Sequence, residues 1–208
     1  MIRGVIFDLD GTIIDNEGLY GRAFCSVLKD QGISCEEVGH TSGIGVRENW
    51  ERMKRDLNLT PDPDDLTAQT QRFYLDHLNE IKPRPNLSAV IHYIKDTRRK
   101  VILATSNTSD IGKYVLGTLG IEKLFDVTAF GDEVTRKKPA PDLFLKAVEK
   151  AELRPQEVLI VEDSPAGIEA ARAANIKVAA IKTDRFNRIQ LARADHIINN
   201  LEEIKDLL

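Results

Sequence analysis

Two carboxylates near the start of the chain, Asp8 and Asp10, give the first chemical signal. They follow the apolar run Val5-Ile6-Phe7 and lead into Gly11 and Thr12. A continuous apolar run that ends in a turn signal reads as a strand buried on both faces. Alternate residues of a strand share a face, so both carboxylates project to the same side at its end. Neighbouring carboxylates repel each other and resist desolvation, and a hard cation such as Mg²⁺ relieves both costs. The plain alternative is a polar strand end reaching solvent, and the pair alone does not choose between the two.

Other polar groups sit just beyond apolar runs. Thr105, Ser106 and Asn107 follow Val101-Ile102-Leu103-Ala104. Gly131 and Asp132 follow a short run ending at Phe130, with Lys138 a little further on. Glu162, Asp163 and Ser164 follow Val158-Leu159-Ile160-Val161. Each has a bland reading: Thr105 as a strand-end or capping hydroxyl, Lys138 as a solvated lysine, Ser164 as the cap of a helix with Pro165 at its first position. Pro139 forces Lys138 into an extended backbone, and Pro141 suits the first turn of the next helix. Lys137 is the competing lysine. With Ser164 supplying the cap, Asp163 is left for another task.

The elements that must position these groups fall into two blocks. Amphipathic helices are expected over 17–31, from Val46 through Trp50 and Met53 to Leu57, and over 64–80. No strand pattern interrupts them, so residues 15–83 read as an all-helical insertion, with a glycine-rich hinge at Ser42-Gly43-Ile44-Gly45. Lys82-Pro83-Arg84-Pro85 closes it. Residues 1–14 and 84–208 then form an α/β core. Its helices are expected over 86–97, 109–119, 141–151 and 165–174, and its strands over 101–104, 127–130, 158–161 and 178–181. A weaker helix, a strand at 196–198 and a short terminal helix follow. Strands alternating with helices imply a doubly wound, Rossmann-like parallel sheet with right-handed crossovers. In such a sheet ligands bind outside the carboxyl ends of the strands, and every polar group named above falls on that edge.

At 208 residues and 23.3 kDa the chain accommodates one α/β domain and a modest insertion. With 42% hydrophobic and 30% charged residues and a net charge of −4, basic residues being scattered, it reads as a globular protein rather than a nucleic-acid binder. No apolar stretch reaches transmembrane length or forms a signal-peptide core, so a cytoplasmic location is expected. Cys25 and Cys35 lack metal-binding spacing; they could form one disulfide, but reduced thiols are the expectation. None of His40, His77, His92 and His196 has metal spacing either, and all read as structural or surface residues.

Taken in order, the segments DLDGT, the strand ending in Thr105, the KKPAPD run and VEDSPAGIEAA resemble the four motifs of the haloacid dehalogenase superfamily. The helical block resembles the cap of its β-phosphoglucomutase and phosphoglycolate phosphatase branch. That resemblance implies that Asp8 is a nucleophile forming an aspartyl-phosphate and Asp10 a general acid and then base. It implies Mg²⁺ held by Asp8, the Asp10 main chain and Asp163, with Glu162 acting through a water. It assigns Leu9, Thr105, Ser106, Asn107 and Lys138 to phosphate and substrate binding, with Thr105 and Lys138 also counted among the catalytic groups. Arg47 and Tyr20 become the candidate substrate contacts from the cap, Arg47 being equally readable as a solvated helix-start residue. Trp50 reads as cap core.

The expected activity is a Mg²⁺-dependent phosphatase acting on small phosphorylated metabolites, with no nucleic-acid or membrane partner and a monomeric or weakly dimeric state. A sugar-phosphate mutase and a non-catalytic phosphometabolite binder are the alternatives. Tyr20 stands where the mutases of that branch carry a histidine and Thr12 where they commonly carry valine; both differences favour hydrolysis.

Overall fold

The computed structural model describes residues 1–35, 39–41 and 43–208, with residue 17 described by its backbone only. Six strands form one sheet: β1 Gly4–Phe7, β2 Lys100–Thr105, β3 Val127–Phe130, β4 Val158–Glu162, β5 Lys177–Ile181 and β6 His196–Ile198. The order is β3-β2-β1-β4-β5-β6, and every pairing is parallel. The helices are α1 Glu17–Asp30, α2 Val46–Leu57, α3 Pro63–Asp76, α4 Leu87–Asp96, α5 Ser109–Thr118, α6 Asp142–Lys150 and α7 Pro165–Ala173. The doubly wound core and a helical cap region built from α1, α2 and α3 are therefore both present.

The period of two along β1 explains why it lies at the centre. Val5 and Phe7 pack in one apolar cluster with Val90 and Ile91 of α4 and Val115 of α5. Ile6 packs in the other with Phe144 of α6 and Ile168 of α7. A strand apolar on both faces is stable only when helices cover both sides. Phe7 stands level with Leu103 of β2 and Val161 of β4, and those two strands run on past it by two residues and one, so their polar ends rise beside Asp8. The sheet grows outward in opposite directions from β1, and the crevice there is the expected ligand position.

Two segments differ from expectation. The third cap helix stops at Asp76, and Leu78–Glu80 continues as a short 3-10 turn. The weaker helix expected before β6 is absent: residues 182–195 run as turns. There the Asn187 side chain accepts from the backbone N–H groups of Ile189 and Gln190, at 2.9 and 3.1 Å, as a helix cap would, but only turns follow it. The terminal helix is a 3-10 helix over Leu201–Leu207, capped by Asn200.

Within the cap, Trp50 is fully buried and donates its indole N–H to Thr70 Oγ1 at 2.8 Å. The chain passes between cap and core twice, side by side: Ile14 bridges Pro83, and the Arg84 N–H donates to the Ile13 carbonyl at 2.8 Å. Among the described residues no helix is long and apolar enough to cross a membrane.

The cysteines depart from the reduced state expected of them. Gly32, in the left-handed region at φ +76°, turns the chain back after α1 and brings Cys35 to within 5.1 Å (Cα–Cα) of Cys25, with which it forms a disulfide. The bond ties α1 to the start of the segment leading to α2. Its reduction is expected to cost about 2–3 kcal/mol, lowering the melting temperature by roughly 5–10 °C. Thermal melts with and without dithiothreitol measure this, and identical melts would contradict it.

Candidate active site

The site is built where β1, β2 and β4 end. Asp8, the residue after β1, keeps its backbone in the sheet by donating its N–H to the Val161 carbonyl at 3.0 Å. Its side chain meets Lys138, whose ammonium lies 2.6 Å from Asp8 Oδ1 and 2.6 Å from Glu162 Oε1. Lys138 is thus the placed lysine; Lys137 donates to the Gly131 carbonyl instead. The Lys138–Pro139 peptide is cis. Glu162, fully buried, spends its other oxygen on the N–H groups of Asp163 and Ser164, both at 2.7 Å, and on the Ser164 hydroxyl at 3.0 Å. Ser164 also caps α7, accepting from the Gly167 N–H at 3.1 Å, as its position before Pro165 suggested.

Burial works against charge here, and one ammonium faces too many carboxylates. Burial pushes the Asp8 carboxyl up to about 8; Lys138 pulls the other way, while Glu162 and Asp10 add to the rise. Burial also disfavours the Lys138 charge, but attraction to Asp8 and Glu162 outweighs it and holds the lysine protonated above its ordinary range.

Asp8, Glu162 and Asp163 each bring a carboxylate oxygen within 4.8 Å of the others, all three residues being buried. A buried, oxygen-only donor set with surplus negative charge fits a hard divalent cation. Gly11 completes this wall. It lies in the left-handed region at φ +79°, and a Cβ there would stand 2.3 Å from Asp163 Oδ2, so a side chain at position 11 would displace the carboxylate. The Thr12 hydroxyl donates to Asp163 Oδ1 at 3.2 Å.

Asp10 lines the cleft beside Asp8 and is held by other partners. Asn107 donates its amide to Asp10 Oδ2 at 2.8 Å and the Thr105 hydroxyl reaches the same oxygen at 3.4 Å. Asn16 donates to Oδ1 of Asp10 and to the Tyr74 hydroxyl, and accepts from the Gly11 N–H. Tyr74 stacks on Tyr20 with ring centroids 4.3 Å apart, and the Tyr20 hydroxyl donates to Asn107 Oδ1 at 3.1 Å. Two cap tyrosines, the residue entering α1 and a core loop therefore close a ring of contacts around Asp10.

The cleft over these groups is lined by Asp8, Asp10 and Ser106 from the core and by Tyr20, Phe24, His40, Thr41, Gly43, Ile44, Val46 and Asn49 from the cap. The segment expected as a hinge, of which Ser42 lies outside the described residues, instead presses on the core. A Cβ on Gly43, at φ +83°, would lie 2.2 Å from Ser164 Oγ, and the Ser106 hydroxyl donates to the Gly43 carbonyl at 3.4 Å. Leu9 is fully buried and is not among the residues that line the cleft.

Arg47 requires a correction. Val46 faces the cleft, and the next residue on α2 is turned about 100° around the axis. Its guanidinium pairs instead with Glu51 one turn along and with Asp64 Oδ1 at 2.6 Å. Sequence reading missed Asn16, Tyr74, Thr12 and His40. Asn16 carried a signal, being a helix-start residue, but it makes no side-chain capping bond and is used on Asp10. His40, expected to be structural or surface, stacks on Phe24 at 5.1 Å in the cleft wall.

A carboxyl whose folded pKa exceeds its unfolded value stabilises the fold while protonated. For Asp8 that contribution is complete below about 4 and is lost as pH rises through about 8. In EDTA, the stability contributed here should fall between pH 5 and 8. Mg²⁺ should raise the melting temperature more at pH 8 than at pH 5, where protons compete for Asp8. Melts across that range with EDTA or Mg²⁺ check both signs, and an equal Mg²⁺ shift at both pH values would contradict them.

The model of haloacid dehalogenase-like hydrolases matches residues 5–181. A phosphorylated carbohydrates phosphatase of Thermotoga maritima is 29% identical over 215 aligned positions, covering 98% of this chain and 100% of the relative. A fructose-1-phosphate phosphatase of Escherichia coli is 29% identical over 183, covering 86% of this chain and 96% of its own. The crystal structure of a β-phosphoglucomutase from Clostridium difficile shares the fold, with a TM-score of 0.85 over 99% of this chain and 96% of its own at 24% identity. The matched span contains Asp8, Asp10, Lys138, Glu162 and Asp163, and the chain belongs to the haloacid dehalogenase-like hydrolases.

Proposed function

We propose that the protein is a Mg²⁺-dependent phosphatase whose substrates are monophosphates with a compact, uncharged leaving group of the polyol or sugar kind. The observation that carries the reading is the division of labour between the two carboxylates. Asp8 is buried against Lys138, and Asp10, two residues on, is held by Asn16, Asn107 and Thr105. The Asp8 carboxylate is placed to attack phosphorus. As the bond from phosphorus to the leaving oxygen breaks, a proton from Asp10 goes to that oxygen. A water then attacks the aspartyl-phosphate, its proton passes to Asp10, and Asp8 is released with inorganic phosphate. Lys138 offsets charge on the phosphoryl oxygens, with Glu162 fixing the ammonium. Thr105 and the backbone around Ser106 offer donors to the same group. Mg²⁺, held by Asp8 and Asp163, would supply the charge that lets one anion approach another.

The cap wall supports the substrate class. Among the described residues, none that lines the cleft is a lysine or arginine. A second phosphate or a carboxylate on the leaving group would be buried there without a partner, which is costly. Hydroxyls would meet Tyr20, His40, Thr41 and Asn49 instead. The relatives named for phosphorylated carbohydrates and fructose 1-phosphate agree with this class.

Phosphate release from a panel of monophosphates tests it. Polyol and sugar monophosphates should exceed phosphoglycolate and pyrophosphate by at least about tenfold in kcat/KM, the scale of one unpaired buried charge. EDTA or Asp8→Asn should abolish release, and Arg47→Ala should leave kcat/KM within about twofold, as expected of an exposed ion pair. No release from any substrate would reject the phosphatase. Preference for dianionic leaving groups would reject the substrate class, and isomerisation outpacing hydrolysis would identify a mutase.

A further inference from the structure

The loop after β5 delivers a second cation to the acidic cluster. Arg185, on the turns at 182–195, places its Nη1 3.3 Å from Asp163 Oδ2, opposite the Oδ1 that accepts from Thr12. Lys138 lies at the far side, on Asp8 and Glu162. The guanidinium also stands 5.0 Å from the face of Phe186, and its side chain keeps 25% of its surface exposed. It therefore reaches the buried carboxylate from the solvent side. The same loop borders a cleft of about 340 Å³ whose walls include Gly11, Asp15, Asp184 and Arg185 itself.

We propose that Arg185 is an internal counter-cation that competes with the divalent metal for Asp163 and so sets how weakly the metal is held. The inference rests on the metal reading given above. Without the metal, Asp163 would sit among other buried carboxylates, and a buried charge stripped of its partner is strongly destabilising. The guanidinium supplies that partner within the chain. When a cation binds at Asp163, the same positive charge adjoins it and opposes it, because like charges a few ångströms apart repel strongly in a partly buried site. The cleft gives the guanidinium room to withdraw, with the Asp15 and Asp184 carboxylates on its walls. Asp163 thus exchanges one positive partner for another, and the fold does not depend on permanent metal occupancy.

Isothermal titration of MgCl₂ into the metal-stripped protein, without substrate, tests the competition. Arg185→Gln and Arg185→Met both remove the charge, the second keeping the apolar stem; Arg185→Lys retains it. The neutral variants should bind Mg²⁺ on the order of tenfold tighter than wild type, the scale of one adjoining charge. Arg185→Lys should stay near wild type. The gain should shrink in high salt, as a partly exposed charge is screened. Neutral variants with unchanged or weaker Mg²⁺ affinity would overturn the proposal while leaving the phosphatase reading intact. A wild type that takes up no Mg²⁺ would overturn both. A neutral variant that melts below the wild type in EDTA, yet gains more from Mg²⁺, would support the same conclusion independently of calorimetry.

Discussion

The Lys138 ammonium, buried between Asp8 and Glu162, is the interaction on which the rest of the site depends. It joins residues that are 130 and 24 positions apart from it in sequence. A buried charge is tolerable only when paired and hydrogen-bonded, and here each oxygen of Glu162 is committed, one to lysine and one to the start of α7. That commitment fixes the height at which β4 hands over to Asp163. It also fixes Asp8 against an ammonium that does not fully compensate it. The surplus negative charge gives the site its demand for a cation.

Around this pair the two carboxylates of the first strand end are given different surroundings. Asp8 lies in a dry pocket with one cationic partner. Asp10 is held by the neutral groups of Asn16, Asn107 and Thr105, the first of them on the turn entering the cap. The first environment suits a group that meets phosphorus, the second a group that gives up and recovers a proton, since neutral donors and acceptors accommodate either state. The cap does more than cover the cleft. Through Tyr20 on Asn107 and Tyr74 on Asn16 it touches both amides that orient Asp10. Gly43 rests against Ser164 and Ser106 at the opposite rim.

Among the described residues, the place of Arg47 outside the cap wall follows from helix geometry rather than from composition. Arg47 is adjacent in sequence to a cleft residue, but a one-residue step on a helix changes the face presented. Glu51 and Asp64 then hold it outside. A change of one position in the start of α2 would have put a positive charge over the leaving group.

Much of this was legible in the chain itself. The continuous apolar run Val5-Ile6-Phe7, the alternation of apolar runs with amphipathic segments and the prolines at 83 and 85 determine the sheet, its helices and the helical region between its first two strands. Local patterns control local backbone, and the polar residues that end each strand must fall on one edge of a parallel sheet. What only the tertiary structure decided are the pairings between distant segments. Turns take the place of a helix over 182–195, and with them Arg185 comes to Asp163. Asn16, at the start of α1, spends its side chain on Asp10 rather than on a capping bond, and Cys25 meets Cys35 through a left-handed glycine. Such choices depend on which charged or polar group is left buried and in need of a partner, and that need exists only once the chain has packed.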